Sequence, residues 1–502
     1  MSTISNLMVL VQDPSLILLV GIGVFVGIYV GAIPGLSTTM AVSILISFTY
    51  SWNTLPALAL MTGVHVGGCF GGSRSAILLN IPGTPAALPT TFDGYPLAKQ
   101  GKAAQALTVT TVQSFVGGII GCVALVFATP VISKFALQFN APDYLFLGIL
   151  GLMLVGSLSG KSMLKGVLAA SCGLLIGTFG MDSFTGMQRF TFGNLYLMSG
   201  VNYIVAMIGL FGFSEALVQL RDLRAVDVIK QKIGRLVPDW KQVFHFFPLT
   251  FLSALIGIFV GALPGTGGDI AALFAYDTAK RTVKNPETSF GEGALEGLVA
   301  PESANNAAAP AAYIPLLALG IPGDTCAAII LGSLVIHGFN PGPTLMTKNP
   351  EILGIIVGGM ILANLFLLPL GLSGIRIFSK IAEVPKQMLM PVIIVLCVVG
   401  VYAINNSMVD IVWMIGFGLL GYFMRRHDFP VGPMVLGIIL SSLIEKNLRR
   451  TISLCATTPF FQLIFGSLLS TVLFLAILAI IVCQLPPVKR QLEARKARPK
   501  QK

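Results

Sequence analysis

Charged residues are scarce in this sequence. Asp, Glu, Lys and Arg make up only 11% of its 502 residues, against roughly 25% in an ordinary soluble domain. Hydrophobic residues make up 55%, and the mean hydropathy is +0.85. A soluble fold of this length needs far more polar residues to cover its surface. The composition therefore excludes a soluble globular protein and predicts that much of the apolar surface faces lipid.

The sequence also lacks the motifs of the commonest ATPases and hydrolases. It contains no Gly-x-x-x-x-Gly-Lys-Ser/Thr loop, no His-Glu-x-x-His and no Gly-x-Ser-x-Gly. The four histidines lack metal-ligand spacing, and the seven irregularly spaced cysteines lie mostly in apolar stretches, which favours packing over disulfides or metal binding. We expect no enzyme activity and no cofactor. No basic segment precedes the first apolar stretch, so that stretch is expected to remain as a membrane helix.

Long apolar runs predict an all-α polytopic membrane protein. Four of them approach or exceed the roughly 20 residues that cross a bilayer as a helix, namely residues 15–33, 352–375, 388–404 and 460–483. With shorter runs included, we expect about ten to twelve membrane-embedded helices. The 55 glycines and 29 prolines predict closely packed helices, some of which break partway.

Basic residues are unevenly distributed. None precedes Arg74, whereas six lie between Arg221 and Lys241 and seven lie between Lys489 and Lys502. Basic loops stay on the cytoplasmic side of a membrane. We therefore expect a cytoplasmic linker at 221–243, a cytoplasmic tail at 486–502 and an N-terminus outside. Contact with lipid headgroups explains these runs better than nucleic acid, because both flank long apolar segments.

Two halves of the sequence resemble each other. The segment from Gly31 to Ala41 and the segment from Gly261 to Ala271 share five identities in eleven positions, including the Pro-Gly pair. Ile-Pro-Gly then follows in each half, at 81–83 and at 321–323. The sequence thus predicts two membrane repeats, 1–220 and 244–485. Combined with the expected orientation, the repeats are inverted, which is typical of secondary transporters.

The first candidate site follows the two Pro-Gly pairs. A Pro-Gly pair disfavours a continuous helix, so a new helix can begin after each one. A helix N-terminus offers unpaired N–H groups and a positive dipole end, which suit an anion. The alternative is two ordinary kinked helices. The predicted substrate-binding residues here are Gly35, Ser37, Thr38, Thr39, Gly265, Thr266, Gly267 and Gly268.

The second candidate site is a glycine-rich stretch, 67–75, followed by Asn-Ile-Pro-Gly at 80–83. Its glycines allow the backbone to approach a ligand. Arg74 lies between apolar stretches, and its guanidinium suits a carboxylate. An equally good alternative is that Arg74 extends to the membrane interface or pairs with an acidic residue inside the protein. Ser73, Arg74, Asn80 and Gly83 are the predicted substrate-binding residues of this stretch.

The third candidate site is a cluster of small polar residues in the second half. Carboxylates, amides and exposed carbonyls are ligands for a hard cation such as sodium, and a carboxylate also carries a proton. The alternative is an Asn-rich cap at a helix end. The predicted coupling-ion residues are Glu302, Ser303, Asn305, Asn306 and Asp324.

Taken together, these motifs resemble the large membrane subunit of the tripartite tricarboxylate transporters. The resemblance rests on Gly31–Gly35, 71–73, 77–83, 93–101, Gly261–Gly265, 300–308, 320–323, 341–343 and 445–450. It implies a secondary transporter that imports a carboxylate with sodium or protons, aided by a small membrane subunit and a periplasmic solute-binding protein in a bacterial inner membrane. Arg74, Ser303 and the Ser-Thr-Thr at 37–39 depart from the family's pattern, so the substrate implied is an organic acid anion of the tricarboxylate or a related class.

Three other functions fit parts of the pattern. A passive anion channel needs a continuous pore and no coupling-ion site. A polytopic membrane enzyme needs clustered acids or a nucleophile with its base. A scaffold subunit has no need of polar residues in the middle of membrane segments, where each one is costly. Broken helices at matching positions favour a transporter over all three.

Overall fold

The protein is described by a computed structural model that covers residues 10, 12–158, 162–182, 184–221, 237–373 and 386–484. Most of the predicted linker, 222–236, and the whole predicted tail, 486–502, lie outside the described residues. The division into two repeats, a linker and a tail therefore stays a prediction.

The first half is almost entirely helical. Its α-helices are α1 (Pro14–Ala32), α2 (Thr38–Phe48), α3 (Thr54–Leu79), α4 (Leu88–Lys99), α5 (Ala103–Ala136), α6 (Ala141–Leu158), α7 (Met163–Ile176), α8 (Tyr203–Met207) and α9 (Ser214–Arg221). A π-helical segment, Ile208–Phe213, joins α8 to α9, and two 3₁₀ helices occupy Pro85–Ala87 and Leu195–Ser199.

Twelve further helices follow in the described residues after the linker. They are α10 (Trp240–Gly261), α11 (Gly267–Thr282), α12 (Glu296–Ala311), α13 (Tyr313–Leu319), α14 (Thr325–Ile336), α15 (Leu345–Lys348), α16 (Pro350–Ser373), α17 (Lys386–Asn405), α18 (Met408–Arg426), α19 (Val431–Leu454), α20 (Phe460–Phe465) and α21 (Leu468–Gln484).

One short hairpin interrupts the helical fold in the described residues. Strand β1 (Gly180–Met181) pairs antiparallel with β2 (Gln188–Arg189). Two ion pairs join this hairpin region to α19: Arg189 Nη1 lies 2.7 Å from Glu445 Oε1, and Arg449 Nη2 lies 2.6 Å from Asp182 Oδ2. These pairs hold the hairpin against the end of a long helix.

The helices confirm an all-α polytopic membrane protein. Nine helical segments of the described chain are long and apolar enough to span a bilayer. They are Pro14–Ala32, Thr54–Leu79, Ala103–Ala136, Tyr203–Arg221, Trp240–Gly261, Pro350–Ser373, Gln387–Asn405, Met408–Arg426 and Val431–Leu454. Five shorter apolar helices add to these, so the predicted ten to twelve embedded segments lie between the count of full-length spans and the count of all apolar helices.

Both Pro-Gly pairs end one helix and precede another, as the sequence predicts. Helix α1 ends at Ala32 and α2 begins at Thr38, whereas α10 ends at Gly261 and α11 begins at Gly267. Gly35 has φ +94° and Gly265 has φ +75°. Residues other than glycine rarely adopt this backbone conformation. The helical path is therefore interrupted at equivalent points of the two halves.

The same close helix contacts recur in both halves. Helix α1 packs against α3 so tightly that a Cβ at Gly31 would lie 3.0 Å from Gly68 Cα. Helix α10 packs against α12 in the same way, and a Cβ at Gly261 would lie 2.7 Å from Ala308 Cα. Small residues at such contacts let helices approach within a membrane, where no hydrophobic effect drives them together.

We predict that Gly27→Val destabilises the protein. A Cβ at Gly27 would lie 2.8 Å from Gly68 N, so the larger side chain must push α1 away from α3, at a cost of about 1–3 kcal/mol. The measurement is the thermal unfolding midpoint of the purified protein in detergent. Gly416→Val on α18 is the matched control, since nothing lies within 4 Å of a Cβ there. Equal midpoints for the two variants would contradict tight α1–α3 packing.

Candidate functional site

A cavity of about 420 Å³ lies between the two halves, within the size range of small-molecule sites. His65 and Cys69 line it from near the middle of α3, a helix of 26 residues. Since a helix of this length crosses the whole hydrocarbon layer, the cavity lies deep in the membrane region. The predicted site residues that line it are Ser37, Thr38, Thr39, Gly265, Thr266, Gly267, Gly268, Asn305 and Asp324.

Three of the helices that begin at this cavity follow a Pro-Gly or Ile-Pro-Gly segment. At the start of α2, Ser37 Oγ accepts a hydrogen bond from Met40 N at 3.1 Å. At the start of α14, Asp324 Oδ1 accepts one from Ala327 N at 2.6 Å. Helix α11 begins at Gly267 without a side-chain cap. The positive ends of three helix dipoles thus meet around one cavity, which favours a negatively charged ligand there.

Direct contacts across the cavity join the two halves. Asn305 Nδ2 donates a hydrogen bond to the carbonyl oxygen of Cys69 at 3.0 Å. Thr39 Oγ1 lies 3.5 Å from Cys326 Sγ, within hydrogen-bond distance for sulfur. The cavity wall therefore alternates between residues of the first and second halves, so movement of one half against the other changes the site.

An ionisable pair lines the same cavity. The His65 side chain is fully buried, with Nδ1 2.9 Å from Tyr313 Oη and Nε2 3.4 Å from Asp324 Oδ2. Asp269, in the first turn of α11, lines the cavity too, and its carboxylate accepts a hydrogen bond from the backbone of Ala86. Both carboxylates come from the second half of the chain.

Three of the predicted coupling-ion residues lie behind the cavity wall. Glu302 is buried, and it accepts hydrogen bonds from Thr90 Oγ1 at 2.6 Å and Ser114 Oγ at 2.9 Å. Ser303 and Asn306 are also buried and donate to backbone carbonyls of their own helix, α12. Asn305 and Asp324 are therefore the two members of the predicted set that reach the cavity.

The predicted binding residues of the second candidate stretch lie apart from the cavity, although Cys69 of that stretch lines it. Arg74 is 1% exposed, and its Nη2 donates to the carbonyl oxygen of Gly371 on α16. Its guanidinium carbon lies 5.1 Å from the centre of the Phe70 ring. Ser73 Oγ donates to the carbonyl of Phe70 at 2.7 Å. Substrate binding by Ser73 and Arg74 stays a prediction, to which this placement adds no support.

Three other predicted residues lie where helices end or the backbone turns. Asn80 is exposed at the C-terminal end of α3 with φ +54°. Gly83 N donates to Gly72 O at 3.3 Å. Gly35 lies in the break between α1 and α2. None of these three lines the cavity, and their predicted contact with substrate also stays a prediction.

Several residues that line the cavity were not predicted from the sequence. They are His65, Cys69, Thr84, Cys326 and Arg425. The alignment that pairs the two Ile-Pro-Gly segments, 81–83 and 321–323, also pairs His65 with Asn305 and Thr84 with Asp324. That repeat signal was sufficient to find His65 and Thr84. Arg425 has no such signal, because no repeat motif includes it.

Comparison with known proteins gives a consistent assignment. The sequence profile of the Tripartite tricarboxylate transporter TctA family matches residues 17–436. This chain belongs to that family. It is therefore a multi-pass membrane subunit of a transporter of the tripartite type, a class that works with partner subunits and a binding protein.

Two relatives come from Agrobacterium vitis. An uncharacterized 52.8 kDa protein in the TAR-I ttuC' 3' region is 36% identical over 432 residues, covering 86% of this chain and 85% of the relative. An uncharacterized protein in the TAR-II ttuC' 3' region is 37% identical over 235 residues, covering 46% of this chain and 96% of the relative. No solved structure matches this chain.

We predict that substrate protects Cys69 from modification. In a variant whose single cysteine is Cys69, a methanethiosulfonate reagent should reach the partly exposed thiol through the cavity, and citrate should slow the reaction several-fold. The measurement is the rate of labelling in detergent. A variant with only Cys122, which is 1% exposed on α5, is the control and should stay unmodified. Labelling of Cys69 at one rate with and without every carboxylate tried would argue against binding in this cavity.

Proposed function

We propose that this chain imports a small organic acid anion, a tricarboxylate or a related carboxylate, by symport with a cation. The observation that carries the proposal is the meeting of three helix N-termini at one deep cavity between the halves. Such ends stabilise an anion with partial charges on several N–H groups, so that they bind it moderately. A transporter needs binding of this kind, because the substrate must also leave.

The substrate anion binds at the starts of α2 and α11 under this proposal. Thr38 Oγ1 is buried at the cavity without a hydrogen-bond partner among the described residues, so it is available to donate to a carboxylate. Gly267 and Gly268 have no side chain to shield the N–H groups at the start of α11. Two ends from two halves suit a molecule with two or more carboxylates.

The coupling cation, sodium or a proton, binds on the side of the second half. Asn305 and Asp324 line the cavity beside the anion site, and Glu302, Ser303 and Asn306 continue the polar surface of α12 into the protein. A cation bound next to the anion stabilises it, and by linkage the anion stabilises the cation by the same free energy. This mutual stabilisation is the basis of symport.

Alternating access follows from the repeated architecture in this proposal. The two halves are inverted repeats, and each contributes one broken helix to the shared cavity. Rocking of one half against the other exposes the cavity first to the outside and then to the cytoplasm. The paired close contacts of α1 with α3 and of α10 with α12 support such a movement, because each pair forms a rigid unit.

The transporter works in a bacterial inner membrane with two partners in this proposal. A periplasmic solute-binding protein delivers the anion, and a small membrane subunit completes the assembly. The N-terminus lies in the periplasm and the C-terminus in the cytoplasm, as the distribution of basic residues favours.

Uptake of labelled di- and tricarboxylates into proteoliposomes tests the function. The vesicles hold this chain with its small membrane subunit, the binding protein is added outside, and a sodium or proton gradient is imposed. We expect accumulation that requires the gradient. Equilibration independent of any gradient would instead identify a passive channel, and conversion of the substrate to another compound would identify a membrane enzyme. No flux of any carboxylate through the assembled system would contradict the substrate class.

A second prediction separates the charge of Asp324 from its capping role. Asp324→Asn keeps a side-chain oxygen for the N–H of Ala327, and Asn caps helices about as well as Asp. This variant should unfold at the wild-type temperature yet lose gradient-driven accumulation. Asp324→Ala removes the cap as well and should lower stability by roughly 1 kcal/mol. Full accumulation by Asp324→Asn would exclude the carboxylate from coupling.

A further inference from the structure

Arg425 supplies the permanent positive charge of the cavity. It lies in the last turn of α18, and it is the one Lys or Arg among the described residues that line the cavity. An arginine guanidinium carries a full positive charge. The same wall continues through Phe429 and Pro430 to Val431, where α19 begins without a side-chain cap. A full charge and a further helix N-terminus therefore lie on this side.

One edge of the guanidinium is held, and the Nε of another edge has no hydrogen-bond partner among the described residues. Arg425 Nη1 lies 2.6 Å from Glu215 Oε2 on α9, and Gln219 Nε2 donates to the other carboxylate oxygen at 2.9 Å. Arg425 Nε, by contrast, is buried without a hydrogen-bond partner in the described part of the chain. Glu215 thus fixes the direction of the side chain and leaves a donor unused. A carboxylate is the natural acceptor for an arginine edge.

The charge balance of the cavity requires such a group. Asp269 and Asp324 both line it, and both would repel an approaching di- or tricarboxylate when ionised. Helix N-termini contribute only about half a charge each. The Arg425–Glu215 pair has no net charge and so adds no repulsion, while its guanidinium side attracts a carboxylate locally.

We propose that Arg425 binds one carboxylate group of the transported anion through the edge that contains Nε, while Glu215 positions it. This inference rests on the proposed function, since it assumes that the cavity holds an organic acid anion. It adds a third wall to the site, from a part of the chain outside both Pro-Gly motifs. With it, a tricarboxylate has one partner at α2, one at α11 and one at Arg425.

Three variants test the proposal. Glu215→Gln with Arg425→Gln removes both charges together, so that no lone buried charge is left. Glu215→Gln alone keeps the guanidinium and a side-chain oxygen that accepts from Nη1, and it removes the competing negative charge. Arg426→Gln is the matched control, because Arg426 is exposed in the same helical turn and lies outside the cavity. For each variant, the concentration of citrate that halves the labelling rate of a single cysteine at Cys69 gives the affinity, and uptake gives KM and kcat.

We expect the double variant to weaken citrate binding roughly tenfold to a hundredfold, as loss of a charge-assisted hydrogen bond predicts. Glu215→Gln alone should tighten binding, and Arg426→Gln should match the wild type. Similar weakening in Glu215→Gln and in the double variant would overturn the proposal, since the ion pair would then be structural only. Wild-type affinity in the double variant would overturn it too. If no carboxylate protects or enters with the wild type, the proposed function itself fails, and this inference fails with it.

Discussion

The constraint on which this structure depends is the need to pair every backbone polar group inside a membrane. A continuous helix pairs its own N–H and carbonyl groups, whereas a break in a helix leaves some of them without partners. At the second Pro-Gly pair the interrupted backbone finds partners in the Ile-Pro-Gly segment of the same half. Gly265 N donates to Gly323 O at 2.7 Å, and Gly323 N donates to Ala312 O at 3.0 Å. The breaks are therefore tolerated only because glycines let these segments approach, and the N–H groups left over face the cavity.

The two halves use one backbone plan with different side chains. Where the first half has His65, Thr84 and Thr39, the aligned positions of the second half have Asn305, Asp324 and Asp269. The repeated backbone gives two equivalent helix N-termini for an anion, and the substituted side chains place both carboxylates on one side. In the proposed mechanism, the repeated backbone supplies symmetry for movement, while the differing side chains supply the chemical difference that coupling needs.

The sequence predicts the part of the site that local rules control. Pro-Gly punctuation gave the ends of α1 and α10 and the new starts at Thr38 and Gly267, because backbone geometry at these residues depends on neighbours along the chain. Arg74 illustrates the limit of such rules. A lone arginine in an apolar stretch suggests a ligand, yet its Nη2 meets the Gly371 carbonyl of α16, far away in sequence. Arg425 could not be predicted from the sequence. At a helix end it looks like a basic residue that sets membrane orientation, and only tertiary packing brings it to the cavity.

Glu302 lies behind the cavity wall, whereas Asp324 lines the cavity, and this difference in position gives the two carboxylates different roles. Glu302 is held by two hydroxyl groups, Thr90 and Ser114. It is linked to the cavity through α12, whose Asn305 lines the cavity. Asp324 instead touches the cavity directly, beside His65. A carboxylate that senses the substrate must share its cavity, because Coulomb interactions across a low dielectric weaken with distance and are screened where water enters. If cation and anion travel together, the pair that communicates is therefore at Asp324 and the helix N-termini, and Glu302 acts on it by fixing the position of α12.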